Sequence, residues 1–204
     1  MTGLATVSSR GIQQGVECAE LVDRLEPARS RRFDPFSALV TLGAERALSS
    51  AGLSPSGTGL VAGAAFGSVQ RTAQFLRAAF EKGPERAPPA EFPHLLPSAA
   101  SGNASVYLGL TGPVMTASAL DASAEAAVLL ACDFLAGSAA EAMISGGVEV
   151  RDSFIRDPIG PACGLLEHGH HEEGAFLALE SLEHAADRGA PVLALVREWD
   201  EGPV

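Results

Sequence analysis

An α/β layered domain is what this sequence predicts, and three observations lead there. Short apolar runs of strand length alternate with amphipathic stretches of helix length. Small residues dominate: 47% of the 204 residues are hydrophobic, yet only 5% are aromatic and 22 are glycine, a composition suited to helices lying close on a sheet. Glycine and proline punctuate nearly every junction between segments, with no repeat, low-complexity tail or linker between them, so residues 1–204 read as a single domain.

The elements follow in order. Asp34 and Pro35 open the clearest helix, the first as N-cap and the second at the first helical position; Val40, Ala44, Ala47, Leu48 and Ala51 share one face, and Gly52 terminates it. After Ser54-Pro55-Ser56-Gly57, the run Leu60–Ala65 is expected as a buried strand. Val69, Ala73, Leu76 and Phe80 mark a second amphipathic helix, and prolines 88, 89 and 93 make residues 83–97 a loop. Pro97 starts a short helix through Tyr107. Gly112-Pro113 turns the chain into extended Val114–Ala119, followed by an almost wholly apolar helix, Ala122–Ala136, that ends at Gly137. Ala142–Ser145 reads as a strand, 151–172 as irregular, and the end as strand Gly174–Leu179, helix Leu182–Arg188, turn Gly189 and strand Val192–Val196.

Charge and cysteine usage exclude several classes. Lys+Arg number 14 against 25 Asp+Glu, a net charge of −11 that repels phosphate backbones and anionic lipid, so neither nucleic acid nor a membrane surface is an expected partner. No apolar run is long enough to span a bilayer, and the first residues show no export signal. Cys18, Cys132 and Cys163 fit no metal or disulfide spacing, which reads as a cytoplasmic protein with reduced thiols. No G-x-S-x-G nucleophile elbow and no phosphate-binding loop occurs; Gly146-Gly147 is not followed by the residues such a loop needs.

Five runs, in this order, carry a family resemblance: FDPFSALVTLGAERALSSAGL, LVAGAAFGS, FPHLLPSAASGNASVYLGLTGP, AEAMISGGVE and EEGAFLALESLEHAADRGAPVLALV. Over residues 33–196 the chain resembles the N-terminal half of a β-ketoacyl-acyl carrier protein synthase, a condensing enzyme. The resemblance implies a thiolase-like half, with a mixed sheet of about five strands and helices packed on its faces. It also implies that the sequence stops where the second half of a complete synthase begins, so that the two histidines which activate the malonyl partner are expected to be missing.

The family's nucleophilic cysteine lies in a Thr-Ala-Cys-Ser/Ala-Ser segment after the Gly-Pro turn. Here Ser118-Ala119-Leu120-Asp121-Ala122-Ser123 stands in its place, and Asp121 is read as occupying the cysteine position. A thiol at a helix N-terminus gains from the helix dipole, and a carboxylate gains likewise, but a carboxylate forms no acyl thioester. Asp121 is preferred as an N-cap of the following helix over a general base or decarboxylation aid. Cys132, mid-helix beside Ala131 and Leu135, reads as a buried inert thiol. Glu167, His168, His170, His171, Glu172 and Glu173 could ligate metal, but adjacent histidines in a loop read as a solvated, pH-sensitive surface; HGHHEEGA departs here from the family's pattern, while Glu173 and Gly174 read as structural.

Arg29, Arg31 and Arg32 form the one dense basic cluster, where related enzymes dock the acidic acyl carrier protein; Arg71, Arg77, Lys82 and Arg86 read as ordinary surface. Leu96 falls where the family places an acyl-pocket residue near the subunit interface, and reads as a core or interface leucine. The expected function is a non-catalytic, chain-length-factor-type subunit of fatty-acid, polyketide or aryl-polyene synthesis, without cofactor or metal. It is expected to pair as a homodimer or with a ketosynthase, because Ala122–Ala136 is apolar all round; Val114–Ala119 is a further expected contact. The rival is a hydrolase or decarboxylase of acyl thioesters that uses Asp121 or the His168–His171 loop.

Overall fold

The computed structural model describes residues 3–8, 25–31, 33–150 and 173–196. Its elements are β1 (Gly3–Ser8), α1 (Pro27–Ser30), α2 (Pro35–Ala51), β2 (Thr58–Gly63), α3 (Val69–Lys82), α4 (Ser98–Leu108), β3 (Val114–Ala117), α5 (Ser123–Ala136), β4 (Ala142–Glu149), β5 (Glu173–Glu180) and α6 (Leu182–Asp187). Short 3₁₀ turns cover Pro84–Arg86, Pro89–His94 and Leu120–Ala122. The five strands form one mixed sheet in the order β1-β5-β4-β2-β3. β2 runs parallel to β3 and β4, whereas β5 is antiparallel to both β4 and β1. The expected α/β, thiolase-like arrangement is therefore present.

Local chemistry explains the elements. The Asp34 carboxylate accepts the Ser37 N–H at 2.8 Å and Pro35 opens the first turn of α2, which closes with Gly52 in the left-handed region. Every residue of β2 is buried, as a strand covered on both faces requires. Alternation then divides the core. Leu60, Ala62, Ile144, Val148, Phe176 and Ala178 face α2 and α4, where they join Phe36, Leu39, Val40, Ala44, Ala47, Ala100 and Ala104. On the opposite face α5 buries far less: Val61, Ala127, Ala131, Met143 and Leu179 among the described residues.

At the far end of α2 a buried ion pair fastens the last helix. Glu180, whose side chain is fully buried, accepts Arg188 Nε at 2.7 Å and Nη2 at 2.6 Å. These hydrogen bonds raise the already high pKa of the guanidinium. Arg188 also donates to the Ala51 carbonyl at 2.8 Å, so one side chain satisfies an open carbonyl of α2 and neutralises a buried carboxylate on β5.

Three sequence expectations change. β1 was not foreseen, because GLATVS carries few β-branched residues and its partner β5 lies about 170 residues away in the register Gly3–Ala178. The expected strand Val192–Val196 is irregular, with Val192, Leu193, Leu195 and Val196 exposed; strand propensity forms a strand only where a neighbour supplies the ladder. α3 exists, but none of its residues is fully buried, and Leu76 and Phe80 of the expected core-facing stripe are exposed, Phe80 by 86%. Its better-packed side meets the proline-rich segment instead: Phe75 and Phe92 pack edge to face at 6.4 Å, and Thr72 Oγ1 donates to the Leu95 carbonyl at 3.1 Å.

Gly43 shows how closely α2 lies on the sheet. A Cβ at this position would fall inside the ring of Phe176, which is fully buried. Gly43→Ala should therefore destabilise the fold by about 1–3 kcal/mol, although alanine favours helix by about 1 kcal/mol. Urea unfolding of the two proteins checks this, and an unchanged or raised midpoint would contradict the packing.

Candidate functional site

The sheet places its chemistry at one end. β2, β3 and β4 point the same way, and open α/β sheets bind ligands outside the carboxyl ends of such strands. Three connections meet there: the loop after β2, the turn from β3 into α5, and the last residue of β4. Gly63 and Gly147 are register partners at the strand ends, and the first turn of α5 rests on them. A Cβ on Gly63 would overlap the Ser123 carbonyl, and one on Gly147 would press on Ala124. Glycine at both places is what lets the helix N-terminus reach the sheet.

The turn into α5 is tied by one hydroxyl. Ser123 Oγ accepts the Ala119 N–H at 2.9 Å and donates to the Leu120 carbonyl at 2.6 Å. Leu120, at the apex, has φ of +52°, a left-handed conformation that costs a side chain of this size roughly 1–2 kcal/mol and that clusters at functional turns. Leu120 is 68% exposed. Asp121 is exposed too, but it does not cap the helix as expected: Ala122, which has no acceptor on its side chain, is the N-cap residue of α5. No side chain caps α5; Ser123 Oγ ties the preceding turn instead, through the Ala119 N–H and the Leu120 carbonyl.

The strained position is thus one residue earlier than Asp121. The sequence already held the ambiguity, since six residues stand against a five-residue family segment. Registering Ser118-Ala119 on Thr-Ala puts Leu120 at the cysteine position, and registering Ala122-Ser123 on the end puts Asp121 there. Neither side chain is a thiol. Cys132 lies on α5, half-buried, and burial followed by the neighbouring Asp133 pushes its pKa up, so little of it is thiolate at neutral pH.

The other sequence-predicted residues do not converge on this turn. Arg29 is committed to the fold: it donates to the carbonyls of Tyr107 and Val106, lies 4.6 Å over the Tyr107 ring and stands 3.8 Å from the Glu26 carboxylate. It thereby satisfies the C-terminal carbonyls of α4, where a cation also meets the helix dipole. Arg31 is exposed, and Arg32 lies outside the described residues. Leu96 is 60% exposed, so it is not a core leucine. His168, His170 and His171 lie outside the described residues, and among those described no group of three His, Cys, Asp or Glu could hold a metal. No helix among them is long and apolar enough to cross a membrane.

One site residue escaped the sequence reading. Glu149, the last residue of β4, turns its carboxylate to the loop after β2 and accepts the N–H groups of Ala65 at 2.8 Å, Phe66 at 3.3 Å and Gly67 at 3.3 Å. The signal was a glutamate closing the strand that contains Gly146-Gly147, at the strand end where the glycines had already marked close backbone approach.

Comparison with known proteins gives this architecture its family. Residues 3–153 match the β-ketoacyl synthase N-terminal domain. The chain is 32% identical over 180 residues to nodulation protein E of a Rhizobium species, covering 79% of this chain and 45% of that protein. It is 30% identical over 203 residues to 3-oxoacyl-(acyl-carrier-protein) synthase 2 of Rhizobium meliloti, covering 85% and 48%. The chain therefore spans about half the length of the curated relatives it matches. Among solved structures, the ishigamide ketosynthase/chain length factor superposes with a TM-score of 0.68 at 20% identity, over 83% of this chain and 49% of that one. A complex of a type II polyketide acyl-carrier protein with its ketosynthase (AntDE:AntF) gives 0.73 at 20% identity, over 93% and 64%. At such identities these two likenesses are of fold. Sheet order, helix layers and the match over residues 3–153 lead to one conclusion: the chain belongs to the β-ketoacyl synthase family, through that family's N-terminal domain.

Proposed function

We propose that this chain is a non-catalytic ketosynthase-like subunit of the chain-length-factor type, which serves fatty-acid, polyketide or aryl-polyene synthesis by pairing with itself or with an active ketosynthase. One observation supports the reading: the strained turn between β3 and α5, which we match to the cysteine-bearing segment of the family, holds Leu120 and Asp121. Leucine has no nucleophile, and a carboxylate cannot hold the acyl thioester from which condensation proceeds. Cys132 does not replace it, being half-buried with a raised pKa.

The pairing rests on two exposed surfaces. Val128, Leu129, Leu130, Phe134 and Leu135 of α5 are only partly buried, although α5 is apolar nearly all round. β3 ends the sheet with Met115 exposed, and an edge strand offers unpaired backbone groups to a neighbour. Covering on the order of 600 Å² of apolar surface gives roughly 15 kcal/mol gross, before association costs. An acyl carrier protein is the proposed third partner. Arg31 is the described residue of the basic cluster free to meet its acidic surface, with Arg32 beside it in sequence.

Two outcomes follow. After incubation with an acyl-thioester of acyl carrier protein, intact mass spectrometry should show no covalent acyl adduct, and Cys132 should alkylate more slowly at pH 8 than an unstructured cysteine peptide, because its thiolate fraction is reduced. An acyl adduct on Asp121, or turnover of the thioester, would instead support the hydrolase reading. Carrier-protein binding should weaken steeply with salt, and Arg31→Glu should weaken it by roughly 3–10-fold without loss of thermal stability. Arg29→Glu should lower stability as well, since it detaches α1 from α4. Binding indifferent to salt and to Arg31 would remove the carrier from the account.

A further inference from the structure

The loop after β2 presents three consecutive backbone N–H groups, from Ala65, Phe66 and Gly67, to a single point. Successive amides that converge in this way form a concave anion receptor, because each N–H contributes partial positive charge and none can be satisfied by its neighbours. Gly67 makes the curvature possible with φ of +56°, and a Cβ there would also crowd Pro97. The receptor is held rigidly from outside. The Ala64 N–H donates to the Ala117 carbonyl at 3.0 Å, which ties the loop to the end of β3, and Ser68 at its other end is buried.

What fills the receptor is a carboxylate of the same chain. Glu149 Oε2 takes the Ala65 N–H and Oε1 takes those of Phe66 and Gly67, so both oxygens are used. The bond spans 84 residues of sequence and joins the ends of two parallel strands that flank the first turn of α5. Charge-assisted bonds of this kind are about twice as strong as neutral ones. An empty cradle would leave the amides facing one another with no acceptor.

We propose that residues 65–67 form a carboxylate-binding nest whose resident ligand is Glu149, and that this internal ligand is the latch fixing the β2–α3 loop against the end of β4. Without the Glu149 carboxylate, the same three amides take a small free carboxylate such as formate or acetate. This is independent of whether the chain acts on acyl groups, since it involves only the loop, the strand end and the chemistry of an anion.

Chemical rescue tests it on the full chain. Glu149→Ala should lower Tm, and sodium acetate, compared with sodium chloride at equal ionic strength, should raise it again along a saturable curve, because an anion that binds only the folded nest stabilises it by mass action. The wild type should show no acetate-specific rise, since its nest is full. Glu149→Gln keeps the volume but replaces one acceptor oxygen by an N–H₂ group that opposes the amides. In this variant the peptide containing residues 64–68 should exchange its amide hydrogens at least tenfold faster than in the wild type. If Glu149→Ala does not fold, that exchange measurement alone decides. Equal protection of the loop in wild type and Glu149→Gln, or an acetate response in Glu149→Ala no larger than that of the wild type, overturns the proposal.

Discussion

The seat of α5 on two glycines is the constraint from which the rest of the molecule follows. Gly63 and Gly147 stand opposite each other on parallel strands, and any side chain there would push Ser123 and Ala124 away. With the helix N-terminus held that low, the connection from β3 has almost no length in which to turn. The chain meets that demand with a left-handed residue, Leu120, and with Ser123 Oγ bridging both sides of the turn. At the same sheet end β2 and β4 are hydrogen-bonded neighbours, which places Glu149 within reach of the loop after β2. A single steric fact at the sheet end thus sets the position of a helix and the tight turn that leads into it.

Strained backbone of this kind clusters at functional sites, and here the residues at the apex, Leu120 and Asp121, carry no thiol. A positive φ on a branched side chain is costly, so its persistence means that the surrounding contacts determine the backbone whichever residue occupies the apex. In the proposed reading the scaffold has kept its shape while losing the thiol. Shape alone suffices for a subunit that presents surfaces to others, and the uneven core agrees: α2 and α4 cover one side of the sheet thoroughly, while α5 leaves much of its own apolar surface half open.

Much of this was legible from the residues. The Asp34-Pro35 start and Gly52 stop of α2 carry their own chemistry, and the apolar runs that became β2, β4 and β5 differ from their expected bounds by a few residues at most. What failed depended on distant partners. GLATVS is a strand only because β5 offers it an edge, and the run at 192–196 has the residues of a strand without becoming one. At the site, Asp121 has the residue type and place of a cap, yet a 3₁₀ turn over Leu120–Ala122 makes Ala122 the N-cap residue of α5 and leaves the cap without a side-chain hydrogen bond. Arg29 also makes contacts that no local signal announces, with Tyr107 and the end of α4 far along the sequence. Local signals specify element type; they do not say which neighbour arrives first.

In the proposed reading the half-open face of α5 and the edge of β3, unpaired among the described strands, are interaction surfaces. Sedimentation equilibrium of the purified chain, alone and mixed with an active ketosynthase of the same organism, is the measurement that decides it. The expected result is a stable dimer of the 204-residue chain or a one-to-one complex with the ketosynthase at micromolar concentration. A chain that remains a soluble monomer at that concentration, both alone and in the mixture, would contradict it.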